Sequence, residues 1–247
     1  ALGVLLAKSC IKAHKALENQ QNALFVAASL GPGTKLPSLG HIDYDTMFSG
    51  YCECVEGFKE AGADVILLET AQDPLQIKAA LHACKAIAPK IPIMVSVTIE
   101  TNGAMLIGTD ITTLFHILEP FSLLSLGMNC GLGPDLARQH LLALSEVCKF
   151  PLSIHTNAGL PQNRGGITYY PMEAEEFSEI QKSFLEIAGV ALLGGCCGTT
   201  PKHIRLLVEK TKNAIPLPPK AEYKPSIASL FGAVELHQTP APLLIGE

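Results

Sequence analysis

An α/β chain built on a parallel sheet covered by helices is what this sequence predicts, on three observations. Short runs rich in Val, Ile and Leu recur along the chain, each followed by a turn containing Gly, Asp or Pro and then by a longer amphipathic segment. The runs are apolar throughout rather than alternating, as strands buried on both faces of a parallel sheet must be. The chemistry-bearing residues gather where the runs end: Ser29, Glu69 with Thr70, Glu100, Asn129 with Cys130, Asn157, and Cys196 with Cys197. Barrels of the (β/α)8 type carry their chemistry at the carboxyl ends of the strands. No G-x-G-x-x-G follows any run to favour an open dinucleotide-binding sheet. The expectation is a (β/α)8 TIM barrel, truncated to about six βα units.

Residues 1–20 read as a helix, with Leu5, Ile11, Ala13 and Leu17 recurring among Lys and His. The strand candidates are 24–28, 65–68, 91–98, 123–128, 152–154 and 190–193. Between and after them, helices are expected at 44–61, 74–88, 111–118, 134–149, 172–188 and 201–213. Asp73 before Pro74 and Thr200 before Pro201 place a capping side chain ahead of a first-turn proline, a helix-start signal. From Ile215 the composition shifts: Pro216, Pro218, Pro219 and Pro225 read as an extended linker, and 243–247 as a strand just beginning. The division expected is a barrel domain over 1–214 and, over 215–247, a linker with the start of a following module.

At 247 residues the chain can bury one substantial core. A net charge of −5 with no basic run argues against nucleic acid as a partner. No apolar run approaches the roughly 20 residues a membrane span needs, and residues 1–8 lack the basic leader of a signal peptide. Eight cysteines in such a chain fit reduced thiols in the cytoplasm better than a disulfide framework.

The stretch Gly194-Gly195-Cys196-Cys197-Gly198-Thr199-Thr200-Pro201 asks for a chemical explanation. Adjacent side chains on a regular strand point to opposite faces, so the two cysteines share a ligand only if the backbone leaves strand geometry. Flanking glycines permit that departure. Cys130 closes an earlier run and offers a third thiolate at the same end of a barrel. Zn²⁺ takes four ligands, and a catalytic site keeps one position open; three protein thiolates leave room for one exchangeable sulfur, which a metal holds deprotonated. The alternative for Cys130 alone is packing, since free cysteines are among the most buried residues. Cys10, Cys52, Cys54, Cys84 and Cys148 sit in helical patterns and read as packing residues. Glu69 is a candidate for holding a substrate ammonium, or a salt-bridge partner. Asn129 and Asn157 orient ligands or cap loops, and His155 reads as a satisfied imidazole.

These residues resemble the zinc-dependent homocysteine S-methyltransferase family. The likeness runs to about residue 214 and includes Ala28-Ser29-Leu30-Gly31-Pro32, Leu68-Glu69-Thr70 and Thr156-Asn157-Ala158-Gly159 beside the Gly-Gly-Cys-Cys-Gly motif. The resemblance implies that Cys130, Cys196 and Cys197 bind zinc, that homocysteine sulfur fills the open position, and that Glu69 holds its amino group, with Ser29, Asn129 and Asn157 as further substrate contacts. The tail from Gln238 to Glu247 resembles the linker into the folate-binding module of the cobalamin-dependent branch. That implies methylcobalamin on another module as methyl donor, and folate- and cobalamin-binding modules as partners. Against the family's pattern, the first two βα units are missing, so the expectation is a fragment. Two alternatives stand beside this reading: a relative using betaine or S-methylmethionine, and a non-catalytic zinc-binding remnant.

Overall fold

A computed structural model describes residues 1–18, 23–222 and 224–241, without the side chains of 16–18. The chain divides into two compact units, Ala1–Val95 and Ser96–Glu247, the boundary falling inside a strand.

The first unit runs α1 (Leu2–Glu18), β1 (Ala27–Leu30), a 3₁₀ turn (Pro37–Leu39), α2 (Tyr44–Glu60), β2 (Val65–Ala71) and α3 (Pro74–Ile87), and reaches β3 (Ile93–Val97). Strands β1 and β2 pair in parallel, Ala27 opposite Val65 through Leu30 opposite Leu68. Val4 of α1, Val26, Ala28, Ala61 and Ala63 form a small core, joined by Ala7, Ile11 and Phe58. The buried Asp73 carboxylate accepts from the amide of Leu75 at the start of α3. It also accepts from the amide and hydroxyl of Ser38, at 2.8 and 2.7 Å. Gln76 donates to the carbonyls of Pro32 and Lys35. Together these two side chains pin the loop that follows β1.

The second unit continues with α4 (Ile111–Leu118), β4 (Ser125–Asn129), α5 (Pro134–Val147), β5 (Leu152–Thr156), β6 (Gln162–Arg164), β7 (Ile167–Tyr169), α6 (Ala174–Ser183), a 3₁₀ turn (Phe184–Glu186), β8 (Val190–Gly195), α7 (Pro201–Thr211), β9 (Ser226–Ala228) and β10 (Ala233–Glu235). Strand β5 pairs in parallel with β4 and with β8. All five residues of β4 are buried, as the unbroken apolar run requires. Phe115, Phe177, Phe184, Leu114, Leu118, Leu126 and Leu141 are fully buried. Each such side chain contributes roughly 1.5–3 kcal/mol.

The six strands of the main sheet follow the order β1-β2-β3-β4-β5-β8. Among the described residues β1 pairs only with β2 and β8 only with β5, so the βα units stop short of a closed barrel. The α/β class and the count of six match the sequence expectation.

Two hairpins add to it. Strands β6 and β7 turn on Gly165-Gly166, both at positive φ, and β9 pairs with β10 within the stretch expected to be linker. That stretch also packs back: β9 and β10 lie on α4, and the Leu217 carbonyl accepts from the Gly189 amide. The expected strand at 243–247 lies outside the described residues. The helix expected over 172–188 is shorter, because Phe184–Glu186 tightens into a 3₁₀ turn.

Helix α4 supplies a stability prediction. Asp110 caps it through four bonds, from the amides and hydroxyls of Thr112 and Thr113, at 2.6–2.9 Å. Burial pushes its carboxyl up, but those hydrogen bonds outweigh burial and hold it below the usual carboxylate range. A depressed folded pKa means the contribution is present above the unfolded value, about 3.9, and is lost as pH falls through the folded value. Asp110→Ala should cost about 1 kcal/mol at neutral pH. The gap between the urea midpoints of variant and wild type should shrink as the pH is lowered through the acid range; a gap unchanged in acid would contradict the carboxylate's role.

Candidate metal centre

The cysteine cluster belongs to the second unit. Strand β4 ends at Asn129, and Cys130 follows with φ +60°, in the left-handed region that side-chain-bearing residues rarely occupy. Its amide still donates to the His155 carbonyl at 3.1 Å, one step beyond the β4–β5 register. The reversal after it points the Cys130 thiol out of the sheet ladder and towards the end of β8.

Strand β8 ends at Gly195, and the cysteine pair lies in the turn beyond it. The Cys196 amide donates to Thr156 O at 2.7 Å, and the Cys196 carbonyl accepts from the amide and hydroxyl of Thr199. The Cys197 amide donates to Asn157 Oδ1 at 3.0 Å, and its carbonyl accepts from the Ala158 amide at 2.9 Å. Gly198 sits at φ +78°, where a Cβ would lie 2.4 Å from the Tyr170 Cβ and Cγ. Left-handed backbone and a ring against the Cα both require glycine there. The pair thus leaves strand geometry, and the two side chains converge.

The sulfurs of Cys130 and Cys197 are 3.8 Å apart, and those of Cys196 and Cys197 3.9 Å. All three lie within 4.8 Å of one another, and all three residues are half-buried. Tetrahedral zinc with sulfur at about 2.3 Å sets its ligands about 3.8 Å apart, so the donor set and its spacing fit that ion.

Hydrogen bonding with Cys196 holds the Cys130 thiol well below its ordinary range, against burial and with help from the Gly131 amide and Cys197. The same bond, with burial, pushes Cys196 up. Asn129 Nδ2 lies 3.9 Å from Cys196 Sγ, its amide turned that way by Ser96 Oγ, which donates to Oδ1 at 2.8 Å.

The other cysteines stand apart. Cys84 and Cys148 are buried, and burial pushes their thiols up to about 12. Cys10, Cys52 and Cys54 lie on α1 and α2.

Ser29 and Glu69 belong to the first unit. The Ser29 hydroxyl donates to Glu69 Oε1, joining the carboxyl ends of β1 and β2. Thr70 next to it sits at φ +62°. A β-branched residue there stores strain of order 1–3 kcal/mol.

Three supporting residues escaped the sequence reading. Gln181 of α6, fully buried, donates to Thr156 Oγ1 and to the Gly194 carbonyl, fixing the end of β8. Tyr170 lies against Gly198, and the neighbouring Cys197 thiol, with burial, pushes its phenol up. His203 caps α7. Only His203 carried a signal, its position three residues after Thr200 being that of a capping box.

The profile of the family described as homocysteine S-methyltransferase matches residues 2–211. The chain belongs to the homocysteine S-methyltransferase family. Within it, the methionine synthase of Mycobacterium leprae is 40% identical over 232 residues, and that of Mycobacterium tuberculosis 40% identical over 227 residues. Each alignment covers 90% of this chain and 19% of the relative, so the chain spans about a fifth of the length of these curated relatives. The apo form of the homocysteine methyltransferase MmuM from Escherichia coli superposes with a TM-score of 0.66 at 25% identity, over 84% of this chain and 70% of that one. Its metallated form superposes at 0.68, with 24% identity, over 84% and 68%. Among the described residues no helix is long and apolar enough to cross a membrane.

Proposed function

We propose that this chain transfers a methyl group to the thiol of homocysteine, giving methionine, with zinc at Cys130, Cys196 and Cys197. The observation that carries the reading is three thiols at zinc-ligand spacing in a chain of the homocysteine S-methyltransferase family. Bound there, zinc supplies the Lewis acidity that keeps a substrate thiol deprotonated at neutral pH.

The protein's own groups do the rest. Three thiolates make the donor set electron-rich, so a fourth sulfur beside them stays nucleophilic. Asn129 directs an amide N–H at the Cys196 sulfur, and Asn157 holds the Cys197 peptide in place. Glu69, oriented by Ser29, holds the substrate ammonium. No general base is required.

The 40% identity to methionine synthases supports methylcobalamin, carried on another module, as donor over betaine or S-methylmethionine. In this reading 1–214 is the homocysteine module, 215–247 leads towards a folate-binding module, and the protein works in the cytoplasm.

Titrating the zinc-loaded protein with homocysteine tests the reading. About one proton should be released per substrate bound, and a cobalt-substituted sample should gain sulfur-to-metal charge-transfer absorption. Binding with neither sign, or no binding, would support a non-catalytic zinc fold instead.

A further inference from the structure

We infer that His203 is a positioning residue for the cysteine turn, clasping the start of α7 to the loop that holds Cys197. The inference rests on the metal reading above for its consequence and on hydrogen-bond geometry for its substance.

His203 is 7% exposed and sits edge-on to the Phe177 ring, centroids 5.4 Å apart. Its Nδ1 faces the Thr200 amide at 3.3 Å and the Thr200 hydroxyl at 2.8 Å. Its Nε2 lies 3.1 Å from the Met172 carbonyl. A carbonyl only accepts, so Nε2 carries the ring proton and Nδ1 is left as the acceptor the Thr200 amide needs. The path then continues through the backbone. The Met172 amide donates to Ala158 O at 3.0 Å, and the Ala158 amide donates to Cys197 O at 2.9 Å. One side chain thereby ties the N-terminus of α7, the turn after Met172 and the loop 157–158 to the Cys197 peptide.

Capping alone does not ask for this. A capping box needs one acceptor three residues after the cap, usually Glu or Gln. The second nitrogen is surplus to the helix, and its partner leads to a candidate ligand. Groups hydrogen-bonded to metal ligands hold them in orientation, and their loss costs about 10–100-fold in affinity; His203 stands behind Met172 and Ala158, so the lower end of that range is expected.

Two near-isosteric variants separate the roles. In His203→Gln the carboxamide keeps an acceptor for Thr200 and a donor for Met172. In His203→Glu the cap persists, favoured at a helix N-terminus, but an oxygen confronts the Met172 carbonyl. Three quantities are measured: melting temperature, zinc release to a chelator, and hydrogen exchange of the Ala158 amide in the metal-free protein. The expected result is near-wild-type behaviour for His203→Gln. His203→Glu should keep its melting temperature while zinc release and Ala158 exchange both quicken at least about tenfold. His203→Glu matching His203→Gln in both rates would overturn the inference. If the wild type takes up no zinc, the metal reading falls, and the Ala158 exchange still decides the clasp. Should His203→Glu not fold, His203→Asn replaces it, being too short to serve both Thr200 and Met172.

Discussion

Cys196→Ala should leave the purified protein without stoichiometric zinc while its fold persists. The thiol lies 3.9 Å from Cys197 Sγ and 3.9 Å from Asn129 Nδ2, and within 4.8 Å of Cys130 Sγ. The bonds that shape the turn are made by the Cys196 backbone, to Thr156 O and from Thr199, and survive the substitution. Truncation therefore removes one of three donors and little else. Loss of an outer-shell partner alone costs about 10–100-fold in affinity, so loss of a direct ligand should exceed about 100-fold. Metal analysis after dialysis should find about one zinc per chain in the wild type and close to none in the variant. Cys10→Ala, on the exposed face of α1, is the matching control and should keep its zinc. A Cys196→Ala protein that retains full zinc would remove the cluster from the metal reading.

The cluster was legible because its signal is local and chemical. Adjacent cysteines between glycines are hard to account for by packing, and the strand ends at Asn129–Cys130 and Gly195–Cys196 could be read from apolar runs that stop. The βα alternation was legible for the same reason, since fully buried strands such as β4 are written as unbroken apolar sequence. The hairpins were not. Strands β6 and β9 are three residues long and mostly exposed, so neither face leaves an apolar pattern, and the Gly165-Gly166 pair was the one available sign. The supports of the site were harder still. Gln181 reaches Gly194 across 13 positions and Tyr170 meets Cys197 across 27, contacts that tertiary packing creates and no spacing rule encodes. The carbonyl of His155 holds the Cys130 amide, a backbone role that its imidazole does not advertise.

Gly127→Ala should be among the most damaging single-methyl changes in the chain, and the reason is space rather than backbone freedom. Gly127 is buried at the middle of β4, opposite Ser153 of β5. A Cβ there would lie 1.7 Å from the Ser153 carbonyl oxygen, 2.5 Å from its Oγ and 2.6 Å from its carbonyl carbon. A flexible side chain would swing aside, but two of these three atoms are backbone. The strands would have to part between the pairs Leu126–Leu152 and Met128–Ile154, whose side chains are all at most 4% exposed. Overpacking a core usually costs about 1–3 kcal/mol, and a clash with a paired strand belongs at or above the top of that range. The damage also has a direction. Two and three residues further on, Asn129 and Cys130 take their positions from the same pairing, and Thr156 of β5 accepts from Cys196. The urea midpoint and the zinc content should therefore fall together. Gly50→Ala makes the contrast, because Gly50 is exposed on α2 with nothing within 4 Å of its Cβ position. There the same methyl should stabilise by roughly 0.5–1 kcal/mol through helix propensity. Equal midpoints for Gly127→Ala and the wild type would mean that β4 and β5 do not approach as closely as these distances require.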